Sequence, residues 1–126
     1  MAGAFKELLV WQKSMDLVKR VYVLVKRFSA EERYALCDQV RRAVVSVPSN
    51  IAEGNGRVSN KDYAHFLSIA RGSLFETLTQ LEVARQLGYI DAQPQLEELA
   101  AEIARMLTAM LSCRSRSVAI GRPSSS

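Results

Sequence analysis

"QVRRAVVSVPSNIAEGNGR", residues 39–57, carries a proline inside a segment that otherwise has the periodicity of a helix. Val40, Ala43, Val44, Val47 and Ile51 recur at spacings of three and four, and Leu36 extends the stripe backwards. Pro48 falls within it. An interior proline removes one backbone hydrogen bond and crowds the preceding turn, at about 3 kcal/mol. The carbonyl freed is that of Val44, and a Ser or Asn side chain close by, or water, can satisfy the neighbouring backbone groups. The expectation is a helix kinked at Pro48. On a helical wheel Arg42, Ser46, Ser49, Asn50 and Glu53 share the face opposite Val40 and Val47, with Asp38 at its edge.

Working outward, the neighbouring segments also read as helices. Before it, Trp11, Met15, Val18, Tyr22 and Val25 place one apolar face on a helix from about Val10 to Phe28. "SAEE", Ser29 to Glu32, is a capping box that opens the proline-bearing helix, and Gly54 to Gly56 supply the positive-φ residues that end it. After it, "SNKD", Ser59 to Asp62, resembles a second capping box. The third helix turns Tyr63, Phe66, Leu67, Ala70, Leu74, Leu81 and Ala84 inward and stops at Gly88. Gly72 in its middle is destabilising by about 1 kcal/mol relative to alanine, which close helix approach would explain. Asp91 caps a fourth helix with Leu96, Leu99, Ile103, Met106, Met110 and Cys113 in a 3,4,3,4,3 rhythm. Residues 5–113 thus read as an all-α, antiparallel up-down four-helix bundle, because short connections join long helices. Residues 114–126 have no periodicity and read as a disordered basic tail.

Helix 1 has more apolar residues than one interior needs. Val10, Leu17, Val21, Leu24 and Phe28 form a second stripe, roughly 110° around the helix, and are expected at a subunit interface. The chain is one domain of 126 residues with 17 Lys plus Arg against 13 Asp plus Glu, a mild basic excess that permits a polyanionic partner. Residues 6–28 carry six cations and two anions; residues 91–113 carry one cation and four anions. Lys13, Arg20 and Arg27 fall seven apart with Lys19 and Lys26 beside them, a basic stripe able to follow a phosphate backbone. The competing reading is a solvated face, since Asp16 sits four before Arg20. No aromatic residue falls on the Lys13, Arg20 and Arg27 line itself, so stacking on unpaired bases is not expected there.

Lys6 and Glu7 interrupt any secretory apolar core, and the longest uncharged run, "AVVSVPSNIA", falls far short of the ~20 residues of a membrane span. Cys37 and Cys113 have no CxxC spacing and read as reduced core residues of a cytoplasmic protein. His65 stands alone, Glu53, Glu76 and Glu82 do not form repeated ExxH units, and Ser46 and Ser49 lack a partner base. No enzyme, no metal and no cofactor is expected.

"VWQKSMDLV" at 10–18, the opening stretch at 39–57 and "FLSIARGSLFETLTQLEVARQLGYI" at 66–90 resemble the four-helix-bundle family of bacterial 23S rRNA-intervening-sequence proteins. The pattern RRAxxSxPxNIAEG, matched by Arg41 to Gly54, and ARGSLxE, matched by Ala70 to Glu76, are its most specific parts. The resemblance covers about Phe5 to Cys113 and implies a homopentameric ring without implying a defined activity. Within a ring, Arg42, Ser46, Pro48, Asn50, Glu53 and Gly54 are most simply explained by architecture or assembly. The alternative is a recognition surface with Arg41 and Arg42 at its rim. The expected function is a non-enzymatic homo-oligomer that binds RNA or a ribonucleoprotein through Lys13, Lys19, Arg20, Lys26, Arg27, Arg41 and Arg42. The competing expectation is a protein–protein adaptor, such as an accessory subunit of a polymerase or reverse transcriptase.

Overall fold

Local chemistry sets the start of α1 and both ends of α3 in the computed structural model, which describes residues 3–28 and 35–119, with side chains as far as Cys113. A short 3-10 turn, Ala4–Glu7, precedes α1, Leu9–Val25. Phe5 sets its ring edge-on to Trp11 at 5.3 Å and the Gln12 amide donates to the Lys6 carbonyl, which fixes the entry angle of α1. The helices α2, Leu36–Asn55, α3, Asn60–Gln86, and α4, Pro94–Ala119, follow, and no strand occurs among the described residues. The Ser59 hydroxyl accepts from the Asp62 amide at 3.1 Å, the N-cap expected at α3. Gly88, at φ 83°, closes α3: its own amide donates to Arg85 and the Tyr89 amide to Ala84, the paired bonds of a Schellman turn.

The four helices enclose one core, in which Val21, Val40, Val44, Leu67, Leu74, Ile103 and Leu107 are fully buried. The most extensive packing is α2 against α3; α1 meets α2, α3 meets α4, and α1 meets α4 to close the set. Lining one end, Phe28 lies 6.1 Å from the Tyr89 ring. No described helix is long and apolar enough to cross a membrane.

Several expectations are corrected. The stripe assigned to a subunit interface is the interior: Val10, Leu17, Val21, Leu24 and Phe28 are each at most 3% exposed within the single chain. Of the face expected inside, Val25 is buried, Trp11, Met15 and Val18 are half-buried, and Tyr22 is exposed. Both stripes have helical spacing, so periodicity could not rank them. Compact Val and Leu fill the slots between helices, whereas Trp and Tyr, large and polar at one end, settle at the boundary. Ser14 joins the buried stripe by donating its hydroxyl to the Val10 carbonyl at 2.7 Å.

The close approach expected at Gly72 occurs at Gly54 instead. A Cβ on Gly54 would lie 3.0 Å from the Phe66 Cβ and 3.4 Å from the Tyr63 carbonyl, so α2 and α3 approach there as only glycine allows. A Cβ on Gly72 would meet nothing within 4 Å. Gly54 and Gly56 have no positive φ; the amides of Gly56 and Arg57 close the end of α2 instead. Pro94, not Asp91, marks the start of α4, where proline's missing N–H costs no bond. Cys37 is buried as expected, but Cys113 is exposed. The backbone of α4 continues past Cys113 to Ala119, into the segment expected as a tail; 120–126 and the Ser29–Glu32 capping box lie outside the described residues.

Candidate functional site

Pro48 is buried inside an unbroken α2, and the polar residues around it bond to one another before they bond to anything else. The Asn50 amide donates to the Ser46 carbonyl and to the Ser46 hydroxyl, each at 2.8 Å. Since a carbonyl can only accept, the NH₂ end of Asn50 must face Ser46, which leaves its Oδ1 without a donor among the described residues. The Ser46 and Ser73 hydroxyls meet at 2.8 Å across α2 and α3, and Thr77, fully buried, donates to the Ser73 carbonyl at 2.8 Å. The two sequence motifs are thus halves of one polar clamp. At its lower end Glu53 holds Arg57 in an ion pair, and the Arg57 guanidinium lies 4.8 Å from the Phe66 ring centroid, tying the end of α2 to α3.

The outer side of this clamp is an open groove of about 600 Å³ between α1 and α2, floored by Val45, Ser46, Ser49 and Asn50. Tyr22, Asp38, Arg41 and Arg42 complete its walls. The Arg41 guanidinium stands 5.7 Å from the Tyr22 ring centroid and 3.7 Å from the Asp38 carboxylate. Arg42 is exposed and has no carboxylate partner among the described residues.

Of the cations placed in one stripe on α1, the fold makes two groups. Lys13, Arg20 and Arg27 lie about 140–180° from Tyr22 around α1, on the α4 side. Lys13 bridges to Glu102 at 3.2 Å, and Arg20 donates to Asp16 at 3.1 Å, as the i,i+4 spacing suggested. The basic helix therefore neighbours the acidic one, and part of its charge is compensated within the chain. Lys19 and Lys26 lie within about 60° of Tyr22, one turn before and after it, exposed and without a carboxylate partner among the described residues. Lys19 also lines a shallow hollow between α1 and α4 with Arg20 and Arg27. Arg27 is exposed on the far side and has no carboxylate partner among the described residues. Sequence reasoning missed Tyr22 as a neighbour of the arginines and Ser73 and Thr77 as partners of Ser46. Only the recurrence of serine in both motifs hinted at the second.

A second concavity of about 410 Å³ opens between α3 and α4 over an apolar floor of Leu78, Leu81, Ile90, Leu96, Ala101 and Ala104. At its rim Arg85 and Gln86 donate to the Glu82 carboxylate and lower its pKa to about 2, Arg85 contributing most. His65 is exposed beside the Phe66 ring, and no described group of three His, Cys, Asp or Glu is placed to hold a metal.

Four helices around one core, with two polar motifs clasped across α2 and α3, define a small all-α protein whose distinctive chemistry lies along one helix pair. The chain belongs to the 23S rRNA-intervening sequence protein family, whose model matches residues 6–109. It is similar to a crystal structure of a protein of unknown function from the S23 ribosomal protein family of Bacteroides thetaiotaomicron. The two share 26% identity at a TM-score of 0.72, over 82% of this chain and 98% of that one. No curated protein matches the chain.

Proposed function

We propose that this is a cytoplasmic, non-enzymatic protein that binds RNA, free or within a ribonucleoprotein, through the face shared by α1 and α2. The observation that carries the reading is a set of exposed cations without carboxylate partners among the described residues: Arg42 in the wall of the groove that Tyr22 and Arg41 border, and Lys19 and Lys26 beside Tyr22 on the outer surface of α1. Unpaired surface cations on one face are what a phosphate backbone neutralises, and each contacted phosphate adds ~0.7–0.9 to the slope of log affinity against log salt. The serines do not suggest nucleophilic chemistry, because Ser46 is bonded to Ser73 and Asn50, neither of them a base. Changing Lys19, Lys26 and Arg42 together to glutamine should weaken binding to all RNA sequences alike and flatten the salt slope. RNA binding with an unaltered slope places the interface elsewhere. No binding at low salt rejects the reading.

The same reading takes the helices as an antiparallel bundle, α2 as bent at Pro48, and the molecule as one subunit of a homo-oligomeric ring, a pentamer. With the second α1 stripe buried, the surface best suited to a second copy is the outer face of α3. Ile69, Phe75 and Val83 are exposed there around Gly72, with Glu76 near its centre and the Arg71 guanidinium 4.9 Å from the Phe75 ring centroid. An exposed mid-helix glycine with open space at its Cβ has no use inside the chain, and contact from outside gives it one. Replacing Ile69 and Phe75 by glutamate should lower the mass in light scattering and leave helicity intact; an unchanged mass sinks this assignment.

The α3–α4 cleft, with its apolar floor and Phe75 at its edge, favours a second reading, a protein–protein adaptor. A partner retained after nuclease treatment, and lost on filling the cleft with Ala101→Phe, would support it.

A further inference from the structure

We propose that Tyr22 and Arg41 form a stacking platform for an unpaired base, so that the RNA taken by this groove is single-stranded. The inference rests on the RNA reading above and specifies the form of RNA that fits. Its first support is a juxtaposition the sequence does not show: an aromatic ring of α1, 38% exposed, with the Arg41 guanidinium of α2 over it at 5.7 Å, a pair that offers a base the outer plane of either partner. Base faces stack on aromatic rings and on guanidinium planes alike. In a duplex those faces are occupied by neighbouring bases, and only an unpaired one can present itself to such a surface.

Charge placement supplies the second support. Asp38 is the only carboxylate among the described residues lining the groove, and it repels phosphate from that wall. Lys19 and Lys26 lie outside the groove's lining, on the exposed surface of α1, and bracket Tyr22 over ~10 Å of helix axis. A strand crossing the ring therefore meets a cation on each side of it, while its base turns inward over Arg41. The groove, about 600 Å³ and open, has the volume of a small-molecule site. Its floor is held firm by the bonds from Asn50 to Ser46, and the Asn50 Oδ1 and the exposed Ser49 hydroxyl remain available to a base edge.

The test uses the full chain and a fluorescein-labelled, unstructured RNA of ~12 nucleotides, alone or annealed to its complement, read by fluorescence anisotropy. The single strand should bind more tightly than the duplex. Tyr22→Ala should weaken the single strand about tenfold, leave the duplex unchanged and keep the salt slope, because no charge is lost. Tyr22→Phe should retain affinity, whereas Tyr22→Leu, which keeps bulk without a ring, should behave like the alanine variant. Wild-type affinity in Tyr22→Ala, an equal loss on both RNAs, or preference for the duplex overturns the stacking platform while RNA binding itself stands. Failure of the wild type to bind either RNA at low salt overturns the RNA reading, and this inference with it.

Discussion

Asn50→Ala is the substitution that separates architecture from recognition in the α2 motif. It deletes two donated bonds, to the Ser46 carbonyl and hydroxyl, both at 2.8 Å in a half-buried setting. At about 1 kcal/mol net for each, the gross loss is about 2 kcal/mol. Two features reduce it. The Ser46 hydroxyl keeps its bond to Ser73, so no polar group is orphaned there. Alanine is also the better helix former, by about 0.6 kcal/mol. The expected net loss is therefore about 1–1.5 kcal/mol, a fall in Tm of roughly 5 °C for a domain of this size. Asn50→Asp is the sharper variant. It replaces the NH₂ by an acceptor facing the Ser46 carbonyl and should cost more than alanine at pH 7. Urea and thermal unfolding followed by circular dichroism measure both. If Asn50→Ala keeps wild-type stability and Asn50→Asp is no worse, the clamp is not structural. Loss of partner binding at unchanged stability and mass would then assign Asn50 to recognition.

Gly54→Ala forces its methyl against the Phe66 Cβ at 3.0 Å and should destabilise the chain by about 1–3 kcal/mol in denaturant unfolding. Gly72→Ala, which meets nothing, should stabilise the monomer by up to about 1 kcal/mol and lower the assembled mass if a second copy sits there. Leu17→Ala, in the stripe first expected to face a neighbour, should cost about 2–5 kcal/mol even at concentrations where the protein is monomeric, as core truncation does. Glu82 should titrate near pH 2 by carboxyl NMR, and return toward the ordinary glutamate range in Arg85→Gln. Because its folded pKa is depressed, whatever stability the carboxylate adds is present above the unfolded value of 4.5 and fades as pH falls toward 2.

The existence of the helices, the Ser59 cap, the stop at Gly88 and the family motif were legible because each depends on residues within a turn or two of one another. Backbone hydrogen bonds, caps and apolar periodicity act over that range, so the order of residues alone specifies them. Which of two equally periodic faces of α1 lies inside was not legible. That choice belongs to the shape of the slots left by α2 and α4, and Val10, Leu17 and Val21 fit them where Trp11 and Tyr22 do not. The glycines show the same division: Gly54 and Gly72 look alike in sequence, and only the approach of Phe66 distinguishes them. The site divides likewise. The polar face of α2 could be drawn on a wheel, but its Ser73 partner is 27 residues away and its Tyr22 wall lies on another helix. Charge, too, is summed by the sequence and sorted by the fold. Packing α1 beside α4 pairs Lys13 with Glu102 and leaves Lys19 and Lys26 without a carboxylate partner among the described residues, because an ion pair forms at hydrogen-bond distance and nothing in the order of residues measures distance between helices.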